Sequence, residues 1–312
     1  MAWVEGTFIW FDGDFVRWED AKIHVLSHVV HYGSGVFEGI RAYKTPTGTA
    51  IFRLGDHVRR LYDSAKIYRM DIPYSQEELT EAIIKTVARN GFDSCYIRPL
   101  VFRGYHELGL NPFTSPVHVI IAAWGWGNYL PADSDAGGVD VVVASWNRIA
   151  PNTMPPMAKA CGNYINSQLM KMQAVVDGYH EAIAVGTDGL LSEGTGENLF
   201  VVRDGTIYTP QLASSILNGI TRSTVLTIAR DLGIPAVEQP LPREILYIAD
   251  EVFLTGTAAE ITPVRSVDRI LVGNGEPGPI TRKLREAFFA IVQGRAPDSH
   301  SWLTPVQSPV QS

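Results

Sequence analysis

Of the seven lysines in the chain, six stand among charged or polar residues, as solvated side chains do. Lys159 differs. It is the only charged residue between Arg148 and Lys171, flanked by Met154-Pro155-Pro156-Met157-Ala158 and by Ala160-Cys161-Gly162-Asn163-Tyr164. An amine kept from water loses its ion hydration, so desolvation favours the neutral form. The neutral form is the one that adds to an aldehyde. A lysine whose stem packs while its head reaches water fits the same segment. The first reading needs companions elsewhere in the chain: an anion for a protonated ring, a cradle for a phosphate and a receptor for a substrate carboxylate.

Candidates for each companion exist. Ser192-Glu193-Gly194-Thr195-Gly196-Glu197-Asn198 sets two glutamates among small residues after a strand-like run, and a carboxylate beside a pyridine nitrogen keeps it protonated. Asn218-Gly219-Ile220-Thr221-Arg222 opens a helical stretch, where free backbone N–H groups favour phosphate. Thr255-Gly256-Thr257-Ala258-Ala259 follows a strand and leaves backbone donors accessible to a phosphate or a carboxylate. Each of these segments would equally serve as an ordinary turn or cap. Arg60 and Arg98 are the arginines best placed for anions. Alternation in Tyr96-Ile97-Arg98 puts Tyr96 and Arg98 on one face of a strand, and a guanidinium fork beside a phenol suits a carboxylate.

The elements that must position these groups are legible from pattern. Asp12-Gly13 within Thr7–Arg17 and Asp204-Gly205 within Val201–Tyr208 mark hairpins. Strand-like runs occupy Ile97–Arg103, Val117–Trp124, Val139–Trp146, Ala182–Gly186 and Glu251–Thr255. Helical spacing covers Asp56–Arg69, Tyr164–Val176, Thr221–Leu232 and Thr281–Val292. Ser75 with Glu78 forms a capping box for a further helix that Gly91 ends. Strands and helices interleave without regular βαβ alternation, which predicts α+β.

With 46% apolar and 19% charged residues the chain buries a sizeable core rather than remaining disordered. A net charge of -7 offers no basic surplus for nucleic acid. Two cysteines, Cys95 and Cys161, supply neither a disulfide framework nor metal-ligand spacing. The first residues carry no secretory signal and no apolar run spans a bilayer, so the expected location is the cytoplasm. The breaker-rich stretch after Leu130 divides the chain into an N-terminal domain, residues 1–130, a linker, 131–138, and a C-terminal domain, 139–312. The polar tail after Ala296 reads as loosely held.

Taken together, these segments resemble the branched-chain aminotransferase family of the fold-type IV pyridoxal-phosphate enzymes. The resemblance runs in order through His31–Arg41, Tyr96–Pro99, Ser145–Arg148, Ala158–Tyr164, Ser192–Phe200, Gly219–Arg222, Ala249–Phe253 and Gly256–Glu260. It implies a two-domain α+β fold, with a small N-terminal domain and a larger C-terminal domain built on a barrel-like sheet with flanking helices. It also implies pyridoxal 5'-phosphate as cofactor, and branched-chain L-amino acids, glutamate and 2-oxoglutarate as substrates. By the same resemblance Lys159 is the catalytic lysine that carries the cofactor. Glu193 is the ring-nitrogen partner with Glu197 in support, and Tyr164 donates to the ring oxygen. Arg60, Ile220, Thr221 and Thr257 form the phosphate cup, with Gly196, Leu217, Gly219 and Gly256 as further cofactor contacts.

For the substrate, the resemblance assigns Tyr96, Thr257 and Ala258 to the α-carboxylate, and Arg98 with Tyr32 to the side-chain carboxylate of glutamate. Phe37, Gly39, Leu108, Leu110, Trp126 and Tyr129 go to the aliphatic pocket. Tyr32 and the Leu108 region come from a partner subunit in that family, which implies a homodimer. Cys161 departs from the glycine frequent at its position. A D-amino-acid or (R)-amine aminotransferase, or an aminodeoxychorismate-type lyase, would share the lysine and the phosphate cup.

Overall fold

The computed structural model describes residues 3–126 and 137–306. Most of the expected linker, and Tyr129, lie outside the described residues. Two compact units emerge, one of Met1–Gly127 with Ala158–Gly162 and Ala290–Ser312, the other of Asn128–Met157 with Asn163–Phe289. The short lysine segment therefore packs with the first unit, through an antiparallel bridge between Val36 and Ala160.

The strands of the first unit are β1 (Trp3–Val4), β2 (Phe8–Phe11), β3 (Asp14–Arg17), β4 (Gly35–Phe37), β5 (Ile40–Thr45), β6 (Gly48–Phe52), β7 (Cys95–Arg103) and β8 (Val117–Trp126). A last strand, Leu303–Pro305, begins an antiparallel sheet that continues β6-β5-β7-β8-β2-β3, with β4 on β7 and β1 on β8. Asp12 and Gly13 both take positive φ (48° and 102°) to close the first hairpin, as a two-residue turn between twisted strands requires. The backbone of this unit is the long pairing of β7 with β8, from Tyr96 opposite Trp124 to Arg103 opposite Val117.

Helices α1 (His28–Tyr32), α2 (Leu54–Ile67) and α3 (Gln76–Asn90) accompany the sheet. In α3 the Ser75 hydroxyl accepts from the Glu78 N–H, and the Glu78 carboxylate accepts from the Ser75 N–H. Gly91 ends it at φ 68°. Helix α2 buries Leu54, Val58, Leu61 and Ala65 along one stripe, and they join Ile51, Ile83 and Ile97 in the core. It starts two residues earlier than its apolar period suggests, because Arg53 turns left-handed (φ 51°) and serves as the N-cap.

The expectation of a loose tail is corrected. Trp302 is buried, and Leu303–Pro305 pairs with β6 in register Leu303 to Phe52 and Pro305 to Ala50. Backbone pairing on an open sheet edge needs no apolar run, so composition does not reveal it.

The second unit is built on β9 (Val139–Val143), β10 (Glu181–Val185), β11 (Leu191–Gly194), β12 (Asn198–Arg203), β13 (Thr206–Thr209), β14 (Ala236–Glu238), β15 (Glu251–Gly256), β16 (Glu260–Val267) and β17 (Ile270–Leu271). Their order is β11-β10-β9-β16-β15-β12-β13-β14, with β17 on β16. Strand β9 runs parallel to both its neighbours, whereas β12, β15 and β16 are antiparallel. The strand expected to reach Trp146 stops at Val143. Beyond it the Ser145 N–H donates to the Gln173 side chain and the Arg148 N–H to the Val185 carbonyl. The helices are α4 (Tyr164–Val176), α5 (Ile220–Asp231), α6 (Ile245–Ile248) and α7 (Pro279–Val292), the last of these belonging to this unit as far as Phe289. Val139, Val141, Ile183, Leu199, Val201 and Leu254 fill the core. Among the described residues no helix is long and apolar enough to cross a membrane.

Candidate active site

In the first unit the lysine is fixed through its backbone. The Lys159 N–H donates to the Ser64 hydroxyl at 3.0 Å, and its carbonyl accepts from the Phe37 N–H at 2.9 Å. The amine lies 5.0 Å from the centre of the Phe37 ring. The same ring also meets Arg98, 4.7 Å from its centre. Its Nη2 donates to the Tyr96 hydroxyl at 3.1 Å, as their shared face on β7 requires. Among the described residues the Nε of Arg98 is buried without a hydrogen-bond partner. Trp126 meets Tyr96 edge-on at 4.5 Å. Gly39 is required beneath Tyr96, because a Cβ there would collide with the phenol.

Arg60 lies one helical turn from Ser64 on the same face of α2. Its Nε and Nη2 form a fork onto Glu38 (2.7 and 2.9 Å), and His57 Nδ1 meets the same carboxylate at 2.7 Å. Glu38 is fully buried. Burial alone would raise its carboxyl, but the Arg60 charge and the hydrogen bonds from Arg60 and His57 outweigh that and hold it well below the usual carboxylate range. Burial acts in the opposite sense on His57 and lowers it, so the neutral ring with Nδ1–H donating is the consistent form. The Cys161 thiol is raised by burial, and its Sγ closes the space over Gly35.

In the second unit the buried Glu193 carboxylate accepts from Arg148 Nη2 (2.7 Å), from the Asn198 amide (3.0 Å) and from the Leu217 N–H (3.0 Å). Arg148 also reaches Asn166 and Ser167 in the first turn of α4, the helix that Tyr164 opens. Gly219 is the N-cap of α5 and makes no side-chain cap bond, and Ile220 and Thr221 form the helix's first turn. A Cβ on Gly219 would strike the Asn198 amide. Thus Asn198 ties the glutamate loop to the start of α5. A Cβ on Gly256 would stand 3.3 Å from the Gly196 carbonyl, which brings the Gly256-Thr257-Ala258 turn beside the same loop. The buried hydroxyls of Ser192 and Thr255 have no partner among the described residues.

Glu197 belongs to the same loop, its carboxylate accepting from the Gly196 N–H at 3.1 Å. Burial and the nearby Glu181 push it up to about 8. Glu181 takes Lys171 (2.8 Å) and the Thr195 hydroxyl (2.7 Å). Arg148 and Lys171 thus pair with two of these three buried carboxyls, Glu193 and Glu181, and a proton on Glu197 restores the balance.

The expected residues fall into these two groups with three exceptions besides Tyr129. Tyr32, Leu108 and Leu110 stand 45%, 47% and 86% exposed. His28 ties their segments together, its ring tilted against Tyr32 at 4.6 Å and reaching the Gly109 carbonyl at 2.9 Å. Sequence reasoning missed Glu38, His57 and Ser64 as supports of the arginine and the lysine, and Arg148 and Asn198 as supports of Glu193. The spacing of His57, Arg60 and Ser64 along one helix face was the available signal.

Residues 35–267 match the family model described as amino-transferase class IV. The branched-chain-amino-acid aminotransferase of Salmonella typhimurium is 52% identical over 311 residues, covering 99% of this chain and all of that one. A crystal structure of the branched-chain amino acid aminotransferase of Escherichia coli superposes with a TM-score of 0.95 at 51% identity, over 97% of this chain and all of that one. The branched-chain amino acid aminotransferase of Thermobaculum terrenum in its PLP-form (holo-form) gives 0.89 at 35% identity, over 97% of this chain and 99% of that one.

Proposed function

The chain belongs to the class IV aminotransferases, and we propose that it moves amino groups between branched-chain L-amino acids and 2-oxoglutarate on pyridoxal 5'-phosphate held by Lys159. The observation that carries the substrate reading is Arg98. It is a cation with an unsatisfied Nε set among aromatic rings, a surface that takes either an aliphatic chain or a second carboxylate.

The residues present fit the cofactor. The N-terminal turn of α5, with glycine at its cap, suits its phosphate, and Ile220, Thr221 and Thr257 are assigned to the cup, with Arg60 of the first unit assigned to the same phosphate. Glu193, buried and neutralised by Arg148, suits the ring nitrogen, and Tyr164 the ring oxygen. Bound pyridoxal phosphate supplies an aldehyde that takes up an amine and a protonated ring that draws electron density from the substrate carbon. The work of the chain is then positional. Glu193 holds the ring proton. Lys159, once freed by the incoming amino acid, would take the proton from the substrate Cα as a general base and deliver it to the former aldehyde carbon of the cofactor. Backbone groups at Thr257 and Ala258, with Tyr96, receive the α-carboxylate. Phe37, Gly39 and Trp126 wall the aliphatic side chain.

We assign Tyr32, Leu108 and Leu110 to the pocket of a second copy of the chain, which their exposure and the His28 clamp support, so the working unit is a homodimer. Cys95 and Cys161 are free thiols, in keeping with a reducing cytoplasm.

Borohydride treatment of the yellow enzyme followed by peptide mapping tests the lysine, and fixation at any other lysine refutes it. Bleaching of the cofactor absorbance by L-leucine and L-glutamate, but not by D-alanine or 1-phenylethylamine, tests the substrate class.

A further inference from the structure

Helix α2 carries three supports on one face: His57 and Arg60 on Glu38, and Ser64 on the Lys159 backbone. The placement of all three depends on how that helix begins, and its beginning is unusual. Arg53 adopts left-handed backbone (φ 51°) as the N-cap and makes no side-chain cap bond, a conformation that a non-glycine residue holds only when its surroundings compel it. What compels it is the end of the chain. The Arg53 N–H donates to the Trp302 carbonyl at 2.6 Å. Its guanidinium lies 5.2 Å from the Trp302 ring, and its Nε meets Asp56 at 2.7 Å. Trp302 is itself held on three sides. It meets Phe52 edge-on at 5.8 Å and stacks on His300 at 4.5 Å, and the Asp298 carboxylate accepts from the N–H groups of Trp302 and Leu303 at 2.8 Å each.

We propose that Trp302 is a positioning residue for the cofactor site: the C-terminal strap Asp298–Pro305 locks the first turn of α2 and so sets Arg60, His57 and Ser64. The inference rests on the phosphate role assigned above to Arg60. Trp302 touches neither substrate nor cofactor and acts only through the helix.

The test uses full-length Trp302→Ala and Trp302→Phe. Absorbance titration of the stripped protein with pyridoxal phosphate should show a dissociation constant raised about tenfold in Trp302→Ala, the worth of one partly desolvated cation–π contact, with Trp302→Phe restoring most of it. Hydrogen exchange of the loaded proteins should quicken over residues 54–64 and stay unaltered over 76–90. An exchange pattern in Trp302→Ala that matches wild type overturns the strap, as does quickening shared equally by both helices. Cofactor affinity unchanged despite faster exchange over 54–64 overturns the link to Arg60. A wild-type chain that binds no pyridoxal phosphate overturns the function proposed above, and the exchange result still decides whether the strap exists.

Discussion

Removing the guanidinium of Arg98 separates the two substrates of one pocket. Arg98 projects from β7 between Phe37, Tyr96 and Trp124, at 4.7, 5.3 and 5.9 Å from the ring centres, with Nε unsatisfied. A side-chain carboxylate of 2-oxoglutarate that pairs with it gains a charge-assisted hydrogen bond in a half-buried setting. A hydrogen bond to a charged group contributes about 1.5–3 kcal/mol, and leaving the partner carboxylate unpaired adds to the loss. A total of about 2–3 kcal/mol corresponds to roughly 30- to 150-fold in affinity. The 2-oxo acid of leucine presents no carboxylate there and loses only contact with the arginine stem. About one methylene of burial, near 0.8 kcal/mol, is a roughly fourfold effect. Single-turnover titration of the amino-loaded Arg98→Ala protein with 2-oxoglutarate and with 4-methyl-2-oxopentanoate measures both affinities. Equal losses would refute the pairing, and a loss confined to the branched acid would reverse it.

Two further outcomes follow from the buried charges. Glu38→Gln turns a carboxylate that accepts from Arg60 and His57 into an amide with donors facing donors. Guanidinium unfolding should show about 3–5 kcal/mol less stability, as when one member of a buried ion pair is removed, and an unchanged midpoint would deny the cluster its role. Glu197 has its folded value raised from 4.5 to about 8, so the folded state holds a proton that the unfolded chain releases, and stability declines as pH rises from 4.5 through about 8. Glu197→Gln should flatten that limb in melting temperatures recorded across the range, and a limb of unchanged slope would assign the proton elsewhere.

Much of the site is legible from local chemistry because its cues are local. The isolation of Lys159, the shared face of Tyr96 and Arg98, the capping box at Ser75 and the glycine before α5 each concern residues within a few positions of one another. The supports are not local. Glu38 meets partners 19 and 22 residues away on a helix, Arg148 meets Glu193 across 45 residues, and Ser64 meets Lys159 across 95. No period or motif joins such pairs, because only the folded sheet brings them together. The tail failed as a prediction for the same reason. Its polar composition says nothing of an edge strand that finds its partner in β6.

The harder requirement on this pocket is that a cation tolerate leucine. A guanidinium set against an aliphatic chain has lost water without gaining an anion, and uncompensated charge is expensive to bury. Within one chain the relief comes from β7, β8 and Phe37. Three aromatic faces surround the Arg98 cation, each contributing about 0.5–2 kcal/mol through its quadrupole, and the Tyr96 hydroxyl accepts from Nη2. These rings are apolar to a leucine side chain and electron-rich to the arginine, so on the proposed reading they suit both occupants. The unsatisfied Nε then acts as a modest bias rather than a prohibition: it favours a carboxylate when one arrives and costs little when none does. A single pocket can thereby accept two unlike substrates in alternation, which a ping-pong transfer demands of it.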